Sequence, residues 1–480
     1  MRIRSGLIVV MTFLVAPLSV QAAAAAPPQA PLRIDAAVRA KIDADVQALL
    51  TSSHSQGATI AIVAGGKMVY TRAYGLRDAE KSLPADTGTH YEIGSITKQF
   101  TAAATLQLKE AGKVDLDAPV ATYLPKVPHA GEITIRQLLT HTSGMPEFVN
   151  TPGFETLAGT PVTFDQLIAR VANKPLDFKP GTRWSYSSTG YIILGRIIEV
   201  VTGQSWEDYV KQNLFVRAGM IDSATIAQEN QLADMARGYE YANGKTVPSK
   251  PIDESWASSA GGIVTTVADL QKWNQALSSG RIISAAGYQS LTTPVRLANG
   301  SSIGYGFGMK VDTFEGQPRI WHDGNTLGFD GSNQFFPNQG VRIIVLTNAV
   351  DGGSDEIVSR VYNDLFPAIA AAAIKSDEQE VKAVTARVEA FAAGLFAGHV
   401  DRSQMTDAFN EGLTDKTVAS IASQMASLGT PAWTYQSRAD QPDGPGYTYL
   451  LKFPKLTAKL IIQLDGASKK FSSLAIVPQR

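Results

Sequence analysis

Apolar residues recur at helical spacing from Ile34 to Leu50, at Ala37, Val38, Ile42, Val46, Leu49 and Leu50, with Asp35 placed to start the run. That spacing predicts an amphipathic helix. Two β-rich runs follow, Ala58 to Ala64 and Lys67 to Ala73, separated by Gly65-Gly66, a pair suited to the positive φ angles of a tight hairpin turn. A loop carrying Pro84, Asp86 and Gly88 leads to a long helical pattern from about Ser95 to Ala111, stopped by Gly112. Further helices are predicted over 135–139, 164–171, 191–201, 206–213 and 267–277. Strands return over 319–322, 331–336 and 341–348, and a helical pattern occupies 355–366.

Two strands, many helices, then several strands and a helix predict a mixed α/β (α+β) fold. Its antiparallel sheet is built from both ends of the segment, flanked by helices, with a helical subdomain inserted. An Ala run meeting a charged stretch between Ala370 and Glu380 marks a domain boundary, giving a main domain over 33–373 and a small C-terminal α+β domain over 378–480. Within that tail the pattern predicts helices over 381–396 and 415–428, the second capped by Asp415, and strands over 447–453 and 458–464. Tyr447, Tyr449, Phe453 and Phe471 are expected in its core. The tail carries no catalytic constellation.

The first 22 residues stand apart. Arg2 and Arg4 precede an apolar run from Leu7 to Leu18 and a small-residue cleavage pattern at Val20-Gln21-Ala22, the order of a secretory signal peptide. The run is shorter than the ~20 residues of a spanning helix. Residues 23–32 are expected to be a flexible leader. The expectation is therefore a protein exported to the periplasm or secreted, with no stable membrane insertion after signal cleavage.

Composition narrows the chemistry. Charged residues are 18% and hydrophobic ones 44%, which argues for a globular chain rather than a disordered one. A formal net charge of −1 gives no electrostatic reason to expect nucleic acid as a partner. The absence of cysteine removes thiolate nucleophiles and zinc-thiolate sites, so a nucleophile must be oxygen or nitrogen. The six histidines, His54, His90, His129, His141, His322 and His399, are scattered without a metal-like i, i+4 pair. No metal and no cofactor are expected.

Three short constellations remain. In Gly94-Ser95-Ile96-Thr97-Lys98, at the entry to the long helix, i and i+3 share a face, so the Lys98 amine can reach the Ser95 hydroxyl. A lysine whose pKa is lowered by burial can take the serine proton, and the helix N-terminus favours a developing anion. In Trp184-Ser185-Tyr186-Ser187-Ser188, a tyrosine near a lysine ammonium can serve as a general base. In Trp321-His322-Asp323-Gly324-Asn325, a strand end aims polar groups at a cleft while the glycine admits close approach of a substrate.

Ser-x-x-Lys, then Tyr-x-Ser, then His-x-Gly, in that order, resembles the three-motif active site of serine β-lactamases and penicillin-binding proteins. It is most similar to the class C β-lactamase branch with its DD-carboxypeptidases, D-aminopeptidases and carboxylesterases. Leu138-Leu139-Thr140-His141-Thr142-Ser143-Gly144, Ala260-Gly261-Gly262, Tyr305-Gly306-Phe307-Gly308 and Leu346-Thr347-Asn348 carry the same likeness, over about residues 33–370.

The resemblance implies acyl transfer through an acyl-Ser95 intermediate. Lys98 and Tyr186 would share acid and base duty, and the backbone N–H groups of Ser95 and Asn325 would form the oxyanion hole. Ser188, His322 and Gly324 would contact substrate, His322 meeting a carboxylate only when protonated and weakening above about pH 6.5 to 7. His141 is read as structural. Ser188 stands where the second motif usually ends in Asn, and its short hydroxyl favours a peptidase or esterase over a dedicated β-lactamase. The substrate would be a small molecule or peptide, peptidoglycan-derived material included. A true β-lactamase and a non-catalytic binder of peptidoglycan fragments are the competing readings.

Overall fold

The computed structural model describes residues 32–478, except 298, 442, 443, 455 and 467, so the expected signal peptide at 1–22 and most of the leader lie outside the described residues. Its centre is a seven-stranded sheet, every neighbouring pair antiparallel, in the order Leu83–Pro84, Lys67–Asp78, Gly57–Ala64, Val341–Thr347, Asp330–Phe336, Gln317–Asn325 and Lys310–Phe314. Strands from both ends of the main segment thus meet in the middle, where Gly57–Ala64 pairs with Val341–Thr347. The hairpin between the first two long strands turns on Gly65 and Gly66 at φ 57° and 77°, a backbone that residues bearing a Cβ rarely adopt.

Period-two alternation then sorts the central strands onto two cores. Ile60, Ile62, Ile343 and Val345 face Ile42 and Val46 of the helix Ala36–Ser52 and Ile357 and Val361 of the helix Ser354–Leu365. Asp35 caps the first of these helices, its side chain accepting from the Val38 N–H at 2.9 Å. Ala61, Ile344 and Leu346 belong to a larger core shared with Phe100, Leu106, Ile193, Trp206, Leu270 and Trp273 of the inserted helices. The helix Lys98–Glu110 lies inside that core, ten of its thirteen residues buried.

The tail differs from its sequence reading in three places. Residues 370–380 lie within one helix, Pro367–Phe396, so the helix read over 381–396 begins well before that range. The helix Asp415–Ala426 is capped by Thr414, whose side chain accepts from the Thr417 N–H, and not by Asp415. Four strands form the tail sheet, Ala432–Gln441, Gly444–Lys452, Thr457–Leu464 and Phe471–Pro478 in that order. Tyr447, Tyr449, Phe453 and Phe471 are buried there in a core of their own with Val388, Phe391 and Leu395. Among the described residues no single helix is long and apolar enough to cross a membrane.

Candidate active site

The three constellations converge. Ser95 sits in a one-turn 3-10 segment, Gly94–Thr97, that runs directly into the helix Lys98–Glu110. Against this turn presses the end of the strand Gln317–Asn325, and two glycines make the contact possible. A Cβ on Gly94, whose φ is 47°, would lie 2.6 Å from the Asn325 nitrogen, and one on Gly324 would lie 1.9 Å from the Ile93 carbonyl oxygen. With no side chain at either position the two backbones touch, which sets the main chain of Asn325 beside the Ser95 turn.

Lys98 is fully buried. Its Nζ reaches three acceptors, Ser95 Oγ at 2.9 Å, the Ala260 carbonyl at 2.9 Å and Ser188 Oγ at 3.5 Å. Burial pulls the amine down to about 7, against the opposing pull of the Glu147 and Asp323 carboxylates. Near neutrality the amine therefore exchanges between an ammonium that donates to Ser95 and a free base that accepts its proton. Tyr186 is half-buried, its hydroxyl hydrogen-bonded to Ser95 and its ring centroid 4.8 Å from Lys98 Nζ. Desolvation holds its phenol well above the usual tyrosine range. The lysine, not the tyrosine, is the member of this pair that titrates near pH 7.

His322 comes to the site from the strand but is fully buried, with Nε2 3.0 Å from the Tyr305 hydroxyl and Nδ1 2.5 Å from the Asp323 carbonyl oxygen. Burial takes it down to about 4, so the ring is neutral at pH 7 and the expected loss of a cationic contact between pH 6.5 and 7 has no group to carry it. The cation beside this strand is Lys310, 2.5 Å from Asp323.

Two neighbours shape the centre that the sequence reading did not place there. Glu147 accepts from the backbone N–H of Ser188 and, at 3.3 Å, from that of Val149, and its charge acts on Lys98. It is the one carboxylate between Glu132 and Glu155, a signal too slight to find from sequence. His141, in a left-handed conformation at φ 58°, grips the 185–187 segment twice. Its carbonyl accepts from the Ser185 N–H at 3.0 Å and its Nδ1 from the Ser187 N–H at 3.1 Å, while its ring lies 4.3 Å from that of Tyr186. The structural role read for His141 thus has a definite object, the orientation of Tyr186.

Ser95 and Ser188 open onto a cleft of about 300 Å³ walled by Phe148, Phe154, Trp256, Ile252 and Leu327. Such a wall suits an apolar side chain on the acyl group.

The family model described as Beta-lactamase matches residues 42–365. The curated relative "Putative penicillin-binding protein PbpX" of Bacillus subtilis (strain 168) is 32% identical over 309 residues, covering 64% of this chain and 74% of its own. Among solved structures, a D-stereospecific amidohydrolase from Streptomyces sp. is 27% identical with a TM-score of 0.59, over 67% of this chain and 98% of that one. The octameric penicillin-binding protein homologue from Pyrococcus abyssi, 22% identical with a TM-score of 0.59, extends the likeness of fold to 92% of this chain and 98% of its own.

Proposed function

The chain belongs to the beta-lactamase family, and from that membership we propose that it is a serine hydrolase cleaving amides or esters of apolar acyl groups through an acyl-Ser95 intermediate. The observation that carries the reading is the buried Lys98 amine, 2.9 Å from Ser95 Oγ and brought down to about 7, behind a serine that opens onto an apolar cleft. A serine hydroxyl needs a base that is unprotonated at working pH, and this amine is one.

In the proposed sequence the free Lys98 amine takes the Ser95 proton as Oγ bonds to the substrate carbonyl carbon. The carbonyl electrons move onto oxygen, which accepts hydrogen bonds from the Ser95 and Asn325 N–H groups. Collapse of the tetrahedral intermediate breaks the bond to the leaving nitrogen or oxygen, which receives a proton from the Tyr186 hydroxyl. Tyr186 is restored from Lys98. Water then attacks the acyl-enzyme with the same groups in reverse roles, freeing the acid and Ser95.

Amino acid amides with apolar side chains fit the aromatic wall, and the likeness to a D-stereospecific amidohydrolase supports testing the D series first. Ser188, with its short hydroxyl on Lys98, supports this over antibiotic hydrolysis. Export rests on the pattern of residues 1–22 and belongs to the same proposal.

Intact-protein mass spectrometry with p-nitrophenyl acetate and with penicillin, beside turnover of D- and L-phenylalanine amide, tests the reading. Acylation confined to Ser95, with ester and amide turnover and a slowly released penicillin adduct, supports it. Rapid antibiotic loss without an adduct would replace it by a β-lactamase, and no acylation by either compound would replace it by a binding protein.

A further inference from the structure

The far end of the main sheet holds a cation without a counter-charge. Arg342 pairs across the strands with Val63 on one side and Phe335 on the other. It lies about 17 Å along the sheet from Asp330, which pairs with Asn325 beside the Ser95 turn. Its guanidinium carbon is 4.9 Å from the centroid of the Phe335 ring, and Nη1 donates to Asn333 Oδ1 at 3.0 Å. Among the described residues no carboxylate pairs with it, and nothing accepts from Nε or Nη2. Both atoms keep accessible surface. Arg342 lines a cavity of about 240 Å³ and, beside it, a void of about 10 Å³, and only the first has room for more than a water. Tyr288 lines both, close enough to act on the guanidinium charge, and its hydroxyl has no protein partner among the described residues either. Arg342 is the one charged residue in the wall of the larger cavity.

We propose that this cavity binds a small organic carboxylate, with Nε and Nη2 of Arg342 and the Tyr288 hydroxyl as its donors. Nε and Nη2 share one edge of a planar guanidinium, and two parallel N–H groups on such an edge match the two oxygens of a carboxylate. The Phe335 ring covers the flat of the guanidinium and so fixes where that edge faces. Val63 and Phe335 give the body of the ligand apolar surface to lie on. A single positive charge balances a carboxylate, whereas a phosphate of charge about −1.5 to −2 would go partly unmet. Burial draws Arg342 down to about 10, which leaves it charged at neutral pH, and a bound anion offsets part of the cost of burying that charge alone. Free carboxylic acids and peptide C-termini share this chemistry, and a cavity of this size, which holds a small acid whole, favours the free acid. The site stands apart from Ser95 and does not depend on the hydrolytic reading.

The test is isothermal titration of the full chain carrying Ser95→Ala, so that amide and peptide ligands stay intact. The ligands are phenylacetate, its neutral isostere phenylacetamide, inorganic phosphate and the peptide N-acetyl-Gly-Gly-Phe. We expect phenylacetate to bind and phenylacetamide to be weaker by roughly tenfold or more, because the amide carries no charge and offers one acceptor oxygen in place of two. Phosphate and the peptide should also be weaker. Arg342→Lys keeps the charge and removes the planar edge, Tyr288→Phe removes only the hydroxyl, and each should weaken phenylacetate by roughly tenfold. Melting curves accompany both variants, and Tyr288→Phe decides the matter if Arg342→Lys does not fold. Equal affinity for the peptide, lost in the same variants, would keep the carboxylate site and extend it to peptide C-termini. No binding of phenylacetate, equal binding of phenylacetamide, tighter binding of phosphate, or a phenylacetate affinity unmoved in the folded variants would overturn the proposal.

Discussion

At the scale of single residues the proposed chemistry turns on which group gives up its proton near neutrality, and burial decides it. Lys98 is drawn down to about 7 while Tyr186 is driven well up, because desolvation penalises the ammonium of one and the phenolate of the other. The free amine is the active form, so kcat/KM for an ester should rise with pH through a single limb centred near 7 and fall away below it as Lys98 is protonated. His322, down at about 4, adds no second limb in that range. A pH profile between 5 and 9 checks this, and a rate that stays flat across that range would take the base role away from Lys98. Ser95, Lys98 and Tyr186 were legible in the sequence because each stands in a short pattern whose spacing has chemical meaning. Glu147 and the grip of His141 were not, since they act through backbone N–H groups distant in sequence, and no local pattern records such a contact.

At the scale of elements, what the sequence showed depended on burial. The central strands Gly57–Ala64 and Val341–Thr347 and the inner tail strands Gly444–Lys452 and Thr457–Leu464 carry continuous or alternating apolar residues and were foreseen, as was Asp330–Phe336 with its Phe335-Phe336 end. Lys310–Phe314, Ala432–Gln441 and Phe471–Pro478 were missed, and all three are edge strands; in the first two, polar residues interrupt the pattern. The charged stretch before residue 380 holds no loop, since Ala, Lys, Glu and Gln all favour a helix: the helix runs on, while the apolar residues of the main cores end at Ile369 and those of the tail core begin at Val381. The edge-to-turn contact at the site gives the prediction at this scale. Gly324→Ala places a Cβ 1.9 Å from the Ile93 oxygen and 2.9 Å from the Ser95 nitrogen, both main-chain atoms that no rotamer change can move. The strand must back away and take Asn325 with it, so kcat should fall by ~10²–10³, the loss typical of one oxyanion donor. Gly131→Ala, with nothing within 4 Å of its Cβ, is the matched control and should be silent in the same assay.

At the scale of the whole molecule the question is whether the tail completes the hydrolase or accompanies it. Its apolar cluster, from Val381 to Ile476, draws on no residue of the main sheet, and the main cores draw on nothing past Ile369. The long helix Pro367–Phe396 belongs to both: Ile369 near its start packs on the first core and Val384 to Leu395 on the tail core. Asp377 and Glu380 on that helix hold Arg438 of the tail sheet at 3.1 and 3.4 Å, and Glu380 also accepts from the Tyr447 hydroxyl at 2.8 Å. A chain ended after residue 376 therefore keeps Ile369, Ala370 and both main cores, and gives up the tail core together with the influence of Asp377 on Glu315 of the main domain. None of the groups around Ser95 is drawn from beyond that point. Such a truncation should stay soluble, melt cooperatively and hydrolyse p-nitrophenyl acetate with kcat/KM within about threefold of the full chain. Thermal melting followed by near-UV circular dichroism, with the ester assay on the same sample, measures both. An insoluble product would show that the tail stabilises the main fold, whereas a soluble but inactive one would show that it shapes the cleft from a distance.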